Sequence, residues 1–296
     1  MAEERVSFKS GSLTIAGTVR VPAGVAARER RPAFLVLHGF GSNMTSSNVM
    51  APCAMLEKLG YVTLRFDMPG CGESEGDKGH LICLDQVATT SAALTFLAKH
   101  PNVEPERIGA IGSSFGAAVA VYAGGVDKRV AAVISSGGWG DGERKFKGQH
   151  PTPEAWAKFT GMLEEGKRHR ARTGKSLMVP RYDIVPIPQH LRGHLAPGSV
   201  QTFTAETAQS MYDFRADDVV AGMAGRPLLL LHSSVDSVTP TEQSVELFKR
   251  AGQPTDLHLF AETDHFMFAE SNTRVHTVLH DWLAQYFPVK VKEAVA

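Results

Sequence analysis

Three residues far apart in this chain have the types and settings to work together on an acyl group. The first is Ser114, in Gly112-Ser113-Ser114-Phe115-Gly116, which follows the apolar run Ile108-Gly109-Ala110-Ile111 and opens an Ala/Val-rich run. A Gly-x-Ser-x-Gly spacing at a strand-to-helix boundary demands a turn too tight for flanking side chains, and it thrusts the central hydroxyl above the sheet. The outgoing helix then sets its N-terminus beneath Ser114, where unpaired N–H groups favour developing negative charge. Serine alone is a poor nucleophile. A neutral imidazole must take its proton, and a carboxylate must fix the imidazole's tautomer and stabilise the imidazolium. His265, in Ala261-Glu262-Thr263-Asp264-His265-Phe266, and Asp236, in the polar turn from His232 to Pro240, supply those groups in the chain order expected for this topology. A serine before a helix could be only an N-cap, and an aspartate in a turn only a turn former. Those readings leave the two glycines and the Asp/His partners unexplained.

The elements that must position these residues read as strands alternating with helices. Residues 5–10 and Leu13–Val21 alternate polar and apolar around Ser10-Gly11-Ser12, which predicts a hairpin. The runs 33–37 and 227–231 are continuous and apolar, the mark of strands buried on both faces, and 61–66, 107–112, 130–135 and 255–260 read as further strands. Helical spacing appears over 48–59, closed by Gly60, and over 81–99, 114–122, 239–250 and 272–287. The expectation is a mostly parallel sheet covered on both faces and begun by an antiparallel hairpin. Both Asp236 and His265 then follow strands at the same sheet edge as Ser114.

Residues 139–215 break the alternation. They show no strand pattern, place Trp156, Phe159 and Leu163 on one face of a helix over 153–172, and turn Pro-rich at Pro180, Pro186, Pro188 and Pro197. A structureless loop of that length does not fit a compact domain. We read 139–215 as an inserted cap on a core formed by 1–138 and 216–296. The cap carries twelve Lys/Arg, Lys145 and Arg181 among them, against eight acids. That bias could attract an anion, but a solvated helix face explains it as well.

The chain resembles the α/β-hydrolases, in the branch of the dienelactone hydrolases, cinnamoyl/feruloyl esterases and serine aminopeptidase-like proteins. The stretches that carry the resemblance are His38-Gly39-Phe40-Gly41, Asp67-Met68-Pro69-Gly70-Cys71-Gly72-Glu73-Ser74, Gly112-Ser113-Ser114-Phe115-Gly116, His232 through Pro240, and Asp264-His265-Phe266. The resemblance implies the α/β-hydrolase fold and a serine hydrolase, with Ser114 as nucleophile, His265 as base and then acid, and Asp236 as orienting acid. It implies an oxyanion hole from the N–H groups of Phe40 and Phe115; both also stand where the residues alone would place such donors. The reaction expected is cleavage of a carboxylic ester or related acyl compound through an acyl-serine. Amide, thioester or C–C hydrolysis by the same triad, and a non-catalytic ligand-binding role, stand as alternatives. Serine in place of aspartate at the elbow speaks against dehalogenation.

Beside these, His38, Ser113, Trp139, Trp156, Phe266 and Phe268 are candidate substrate-pocket residues, with His38 also placed to brace the oxyanion loop. Asp67 and Asp264 read as structural. No cofactor and no metal is expected: His190 and His194 stand four apart, but Gly193 interrupts the helix and no Glu follows His190. Thr173-Gly174-Lys175-Ser176 lacks the first glycine of a phosphate loop and has no strand before it. The chain of 296 residues is 43% hydrophobic and 21% charged, with 31 basic against 31 acidic residues. That balance favours a small-molecule substrate over nucleic acid or an anionic membrane. No apolar run reaches the length of a membrane span and the first residues lack a signal's apolar core, so a cytoplasmic protein is expected. Cys53, Cys71 and Cys83 form no CxxC and read as free thiols. Self-association into a homo-oligomer is left open by the sequence.

Overall fold

The computed structural model describes residues 2–268 and 272–290. The sequence-based core segments also include 1, 269–271 and 291–296, which lie outside the described residues. Strands β1 (Ala2–Ser10) and β2 (Leu13–Val21) form the expected hairpin, paired from Ala2 against Val21 to Ser10 against Leu13. There follow β3 (Arg31–Leu37), α1 (Ser47–Lys58), β4 (Val62–Phe66), α2 (Cys83–Leu97), β5 (Val103–Ser113), α3 (Phe115–Val126) and β6 (Val130–Ser136). Helices α4 (Gly142–Gln149) and α5 (Pro153–Thr173) come next, then β7 (Met178–Pro180), α6 (Arg181–Ile184), β8 (Thr202–Thr204) and α7 (Ala205–Asp213). The chain closes with β9 (Leu228–Ser233), α8 (Glu242–Arg250), β10 (Thr255–Phe260) and α9 (Thr273–Tyr286).

Eight strands make one sheet in the order β1-β2-β4-β3-β5-β6-β9-β10. Pairings from β4 to β10 are parallel, and only the hairpin side is antiparallel. This is the α/β-hydrolase fold. Successive residues of a strand point to opposite faces, and the central strands sort accordingly. Leu35, Leu37, Ala110, Val133, Leu228 and Leu230 join the core under α2 and α3. Phe34, Val36, Ile111, Ile134, Leu229 and Leu231 join the core under α1 and α9. Both faces are dry, which explains runs with no polar alternation.

Register brings the site to one rim. Leu37 pairs with Gly112, Gly112 with Ser135, and Ser136 with Leu231, so β3, β5, β6 and β9 end side by side. The loops that leave those ends carry His38, Ser114, Gly137 and Asp236.

The 139–215 stretch holds more regular structure than its reading: helices α4 and α7 beside α5, and a two-stranded antiparallel sheet, β7 with β8, where no strand is expected. Three residues are too few to show an alternation. Helix α5 runs as expected and ends on Gly174, in the left-handed conformation with φ 71°; the Thr173–Ser176 run is therefore a helix cap. Among the described residues no helix is long and apolar enough to cross a membrane.

Candidate active site

Ser114 occupies the turn between β5 and α3 with φ 55° and ψ −115°. A side chain there costs roughly 1–3 kcal/mol, so the surroundings must impose it. Two backbone approaches do so. A Cβ on Gly112 would stand 2.3 Å from the carbonyl of Gly116, and a Cβ on Gly116 would stand 2.6 Å from the carbonyl oxygens of Leu37 and His38. The Ser114 N–H donates to the Ser136 carbonyl at 2.8 Å, pinning the turn to β6. The neighbouring Ser113 hydroxyl donates to the Asn48 carbonyl at 3.4 Å. Pro52, four residues on in α1, cannot supply the helical N–H that this carbonyl would otherwise accept.

The Asp236 side chain is fully buried and its two oxygens divide the work. Oδ1 accepts from the N–H groups of Val238 and Thr239 at 2.8 and 2.7 Å. Oδ2 accepts from His265 Nδ1 at 2.8 Å and lies 3.2 Å from His232 Nε2. Burial alone would raise this carboxyl, but the facing His265 and the bonds from both imidazoles outweigh it and hold Asp236 well below the usual carboxylate range. With Nδ1–H committed to Asp236, the lone pair of His265 falls on Nε2. Gly137, at φ 62°, passes under the pair: a Cβ there would meet His265 Nδ1 and Cε1 at 3.3 Å and Asp236 Oδ2 at 3.5 Å. The Ser136-Gly137 backbone thus touches the serine turn on one side and the Asp–His pair on the other. Asp264 accepts from the N–H groups of Ser237 and His265 at 2.9 and 2.7 Å, tying the two loops together.

The loop after β3 is held through its carbonyls. His38 is buried and neutral, because burial lowers its pKa: Nδ1–H donates to the Gly39 carbonyl at 2.8 Å while Nε2 accepts from the Met68 N–H at 3.0 Å. The carbonyls of Phe40 and Gly41 accept from Arg181 at 2.9 and 3.1 Å. The Phe40 N–H has no acceptor among the described residues. The Phe115 N–H opens α3, where no helical carbonyl serves it. Asp67 bridges the Met44 and Glu73 N–H groups at 2.7 and 2.8 Å, a loop-shaping part.

Ser114 and His265 line one cavity with Gly39, Phe40, Ser113 and Phe266. Its other wall is Arg181, Val185, Ile187, His194 and Leu195 from 139–215, and its volume is about 40 Å3. Four expected pocket residues lie elsewhere. His38 is sealed beneath the loop it bonds, and Trp139 is buried 5.7 Å behind Phe115, ring to ring. Trp156 packs on Phe159, and Phe268 belongs to the core on the opposite face of the sheet. Aromatic type near a motif did not separate core from cavity. His190 lies 3.8 Å from Asp264, and His194 stacks toward Phe266 at 5.3 Å. The three cysteines are free and buried, and burial pushes each thiol up to about 12. Two participants carried no role in the sequence reading. His232 was legible as a polar residue ending an apolar strand, whereas Arg181 looked like one more solvated cation.

The sequence model of the family described as "Serine aminopeptidase, S33" matches residues 28–272. An Escherichia coli protein described as an uncharacterized 31.7 kDa protein in the traX-finO intergenic region is 25% identical over 283 residues, covering 92% of this chain and 96% of that protein. The polyketide transferase grgF of a Penicillium species is 24% identical over 81% of this chain and 82% of its own. The crystal structure of GrgF superposes with a TM-score of 0.77 at 18% identity, covering 97% of this chain and 99% of that one. Est1E of Butyrivibrio proteoclasticus, with ferulic acid bound, gives a TM-score of 0.66 at 17% identity, covering 94% and 99%.

Proposed function

We propose, for a chain that belongs to the serine aminopeptidase S33 family of α/β-hydrolases, that it is a serine hydrolase acting on a carboxylic ester through an acyl-Ser114 intermediate. The observation that supports this most directly is the 2.8 Å bond from His265 Nδ1 to buried Asp236, with His265 and Ser114 facing one cavity. Ser114 Oγ attacks the acyl carbon as His265 Nε2 takes its proton. The oxyanion that forms is met by the N–H groups of Phe40 and Phe115, each such donor being worth about 3–4 kcal/mol in the transition state. His265 returns the proton to the departing alcohol, and then activates a water that releases the acid. Asp236 stays ionised throughout. No cofactor enters this scheme.

Residues 139–215 serve as the cap. Val185, Ile187 and Leu195 from this stretch give the cavity an apolar wall facing Ser114 and His265. Ferulic acid in Est1E and the transferase description of grgF support an acyl site, and the latter favours a second reading in which the acyl group passes to an acceptor other than water.

A panel of p-nitrophenyl esters of graded chain length, with aryl amides and thioesters beside it, tests the proposal. Ester turnover with stoichiometric fluorophosphonate labelling is expected. Ser114→Ala should lose at least ~1,000-fold in kcat and all labelling. A folded wild-type protein that neither labels nor turns over any acyl substrate would overturn the reading in favour of a ligand-binding protein. Faster turnover on adding amine or alcohol acceptors would select the transferase reading.

A further inference from the structure

The oxyanion loop is served by a cation that the scheme above does not use. Arg181 follows β7 and is 1% exposed. Its Nε donates to the Val200 carbonyl at 2.9 Å, Nη1 to the Phe40 carbonyl at 2.9 Å and Nη2 to the Gly41 carbonyl at 3.1 Å. Among the described residues no carboxylate forms an ion pair with it. Burial lowers its pKa to about 10, which still leaves it charged at neutral pH. A buried guanidinium whose hydrogen bonds all go to carbonyls, with the rings of Phe40 and Phe203 beside it, is an expensive way to hold a cap in place, and apolar residues would do that better. What it holds is specific.

With His38 on the Gly39 carbonyl, three consecutive carbonyls, 39, 40 and 41, point into side-chain donors. Peptide planes are rigid and trans, so fixing a carbonyl fixes the opposed N–H of the same peptide. His38 sets the peptide bearing the Phe40 N–H, and Arg181 sets the next two, which keeps that first peptide from rotating. The cap presses on the same spot by other means. The Val200 N–H donates to the Gly41 carbonyl at 2.8 Å, and Phe203 stacks on Phe40 with ring centroids 4.1 Å apart. Gly41, at φ 52°, has no room for a side chain: its Cβ would meet Phe203 at 2.4 Å and Arg181 Nη2 at 3.0 Å.

We infer that Arg181 is the positioning residue of the oxyanion hole, a cap-borne fork that holds the 39–41 loop with the Phe40 N–H turned to Ser114. The inference rests on the hydrolase reading for its effect on rate, but the loop's order can be read without catalysis. Two variants and two measurements separate the cases. In Arg181→Met, kcat for the best p-nitrophenyl ester should fall about 10- to 100-fold with KM changed less than about 3-fold, since a small misplacement of a donor acts on the transition state. Affinity for a boronic acid, which mimics the tetrahedral adduct on Ser114, should fall by a similar factor. Arg181→Lys, which keeps the charge but gathers its donors on one nitrogen, should recover part of the loss. Hydrogen exchange at the Ser42 and Met44 amides should speed at least about 10-fold in Arg181→Met while β5 and α5 keep their protection. Unchanged exchange in that loop overturns the inference whether or not the protein is a hydrolase. So does a loss of kcat in both variants that is matched by general loss of protection, because Arg181 would then only hold the fold together. If exchange speeds in the loop but the wild type turns over no ester, the positioning stands and the hydrolase reading falls.

Discussion

The serine turn and the loop after β3 meet at one cavity, yet they are held by different means. The turn over 112–116 is locked by backbone against backbone. Gly112, Gly116, Leu37 and His38 close to contact, and the strained φ of Ser114 is what remains. The loop over 38–44 is locked mainly by side chains, His38 from its own start and Arg181 and Phe203 from more than 130 residues away, with one backbone bond from the Val200 N–H to the Gly41 carbonyl. The first lock is local in sequence and depends on the absence of atoms. The second is long-range and depends on their presence. Damage to the first should therefore strike the fold, and damage to the second should strike function.

Gly116→Ala breaks the comparison at its stronger end. The added methyl would lie 2.6 Å from two carbonyl oxygens and 2.8 Å from the Leu37 carbonyl carbon, all backbone of the central sheet. Neither β3 nor α3 can yield without separating buried layers. A loss above about 4 kcal/mol is expected, a large part of the stability of a typical domain. The expected outcome is little soluble protein, with any recovered fraction lacking a cooperative thermal transition. A variant that melts within a few degrees of wild type would show that the turn is held some other way.

Gly41→Ala sharpens the comparison from the other side. Its methyl meets the Phe203 ring and the Arg181 guanidinium rather than backbone, so the 139–215 stretch can give way where the sheet cannot. A stability loss of about 1–3 kcal/mol is expected from the positive φ and the displaced ring. The kcat for esters should fall at least about 10-fold. Denaturant unfolding and steady-state kinetics on one preparation check both parts. An active enzyme with a large stability loss would reverse the assignment of fold and function to the two locks.

The same contrast explains what the sequence told in advance. Ser114 and Asp236 were legible because each follows an apolar run that announces a buried parallel strand, and His265 because it follows the edge strand β10, whose register beside β9 aligns its end with theirs. The sheet and its flanking helices were legible for that reason too. Arg181 and Phe203 were not. Phe203 belongs to a strand of three residues and Arg181 opens a helix of four, both in a Pro-rich stretch where neither period nor flanks carry a signal. Trp139 and Trp156 misled because an aromatic side chain serves a core and a cavity wall equally well. Local pattern reports which face is dry, and it is silent on which distant segment covers that face.

Lys145 extends this lesson to energetics, with the smallest effect of the three. It sits in α4, wholly buried, with Nζ donating to Gln149 Oε1 at 2.9 Å and facing the rings of Phe146 and Trp139 at 3.9 and 4.8 Å. Trp139 in turn backs Phe115. Burial lowers the lysine's pKa from 10.5 to about 7. The unfolded chain therefore binds one proton more than the folded one between about pH 7 and 10.5, and stability rises with pH across that window. Below pH 7 both states are protonated and the folded state bears the whole penalty, roughly 4–5 kcal/mol as an upper bound. Lys145→Met fills the same space without a charge. It should be more stable than wild type at pH 6 by about 1–3 kcal/mol, after loss of the ring and Gln149 contacts, and the advantage should shrink to near zero by pH 10. Urea unfolding at pH 6, 8 and 10 measures it. A variant less stable at pH 6, or a difference independent of pH, would mean that the aromatic faces and Gln149 compensate the charge fully, and that this side of the site carries no stored cost at all.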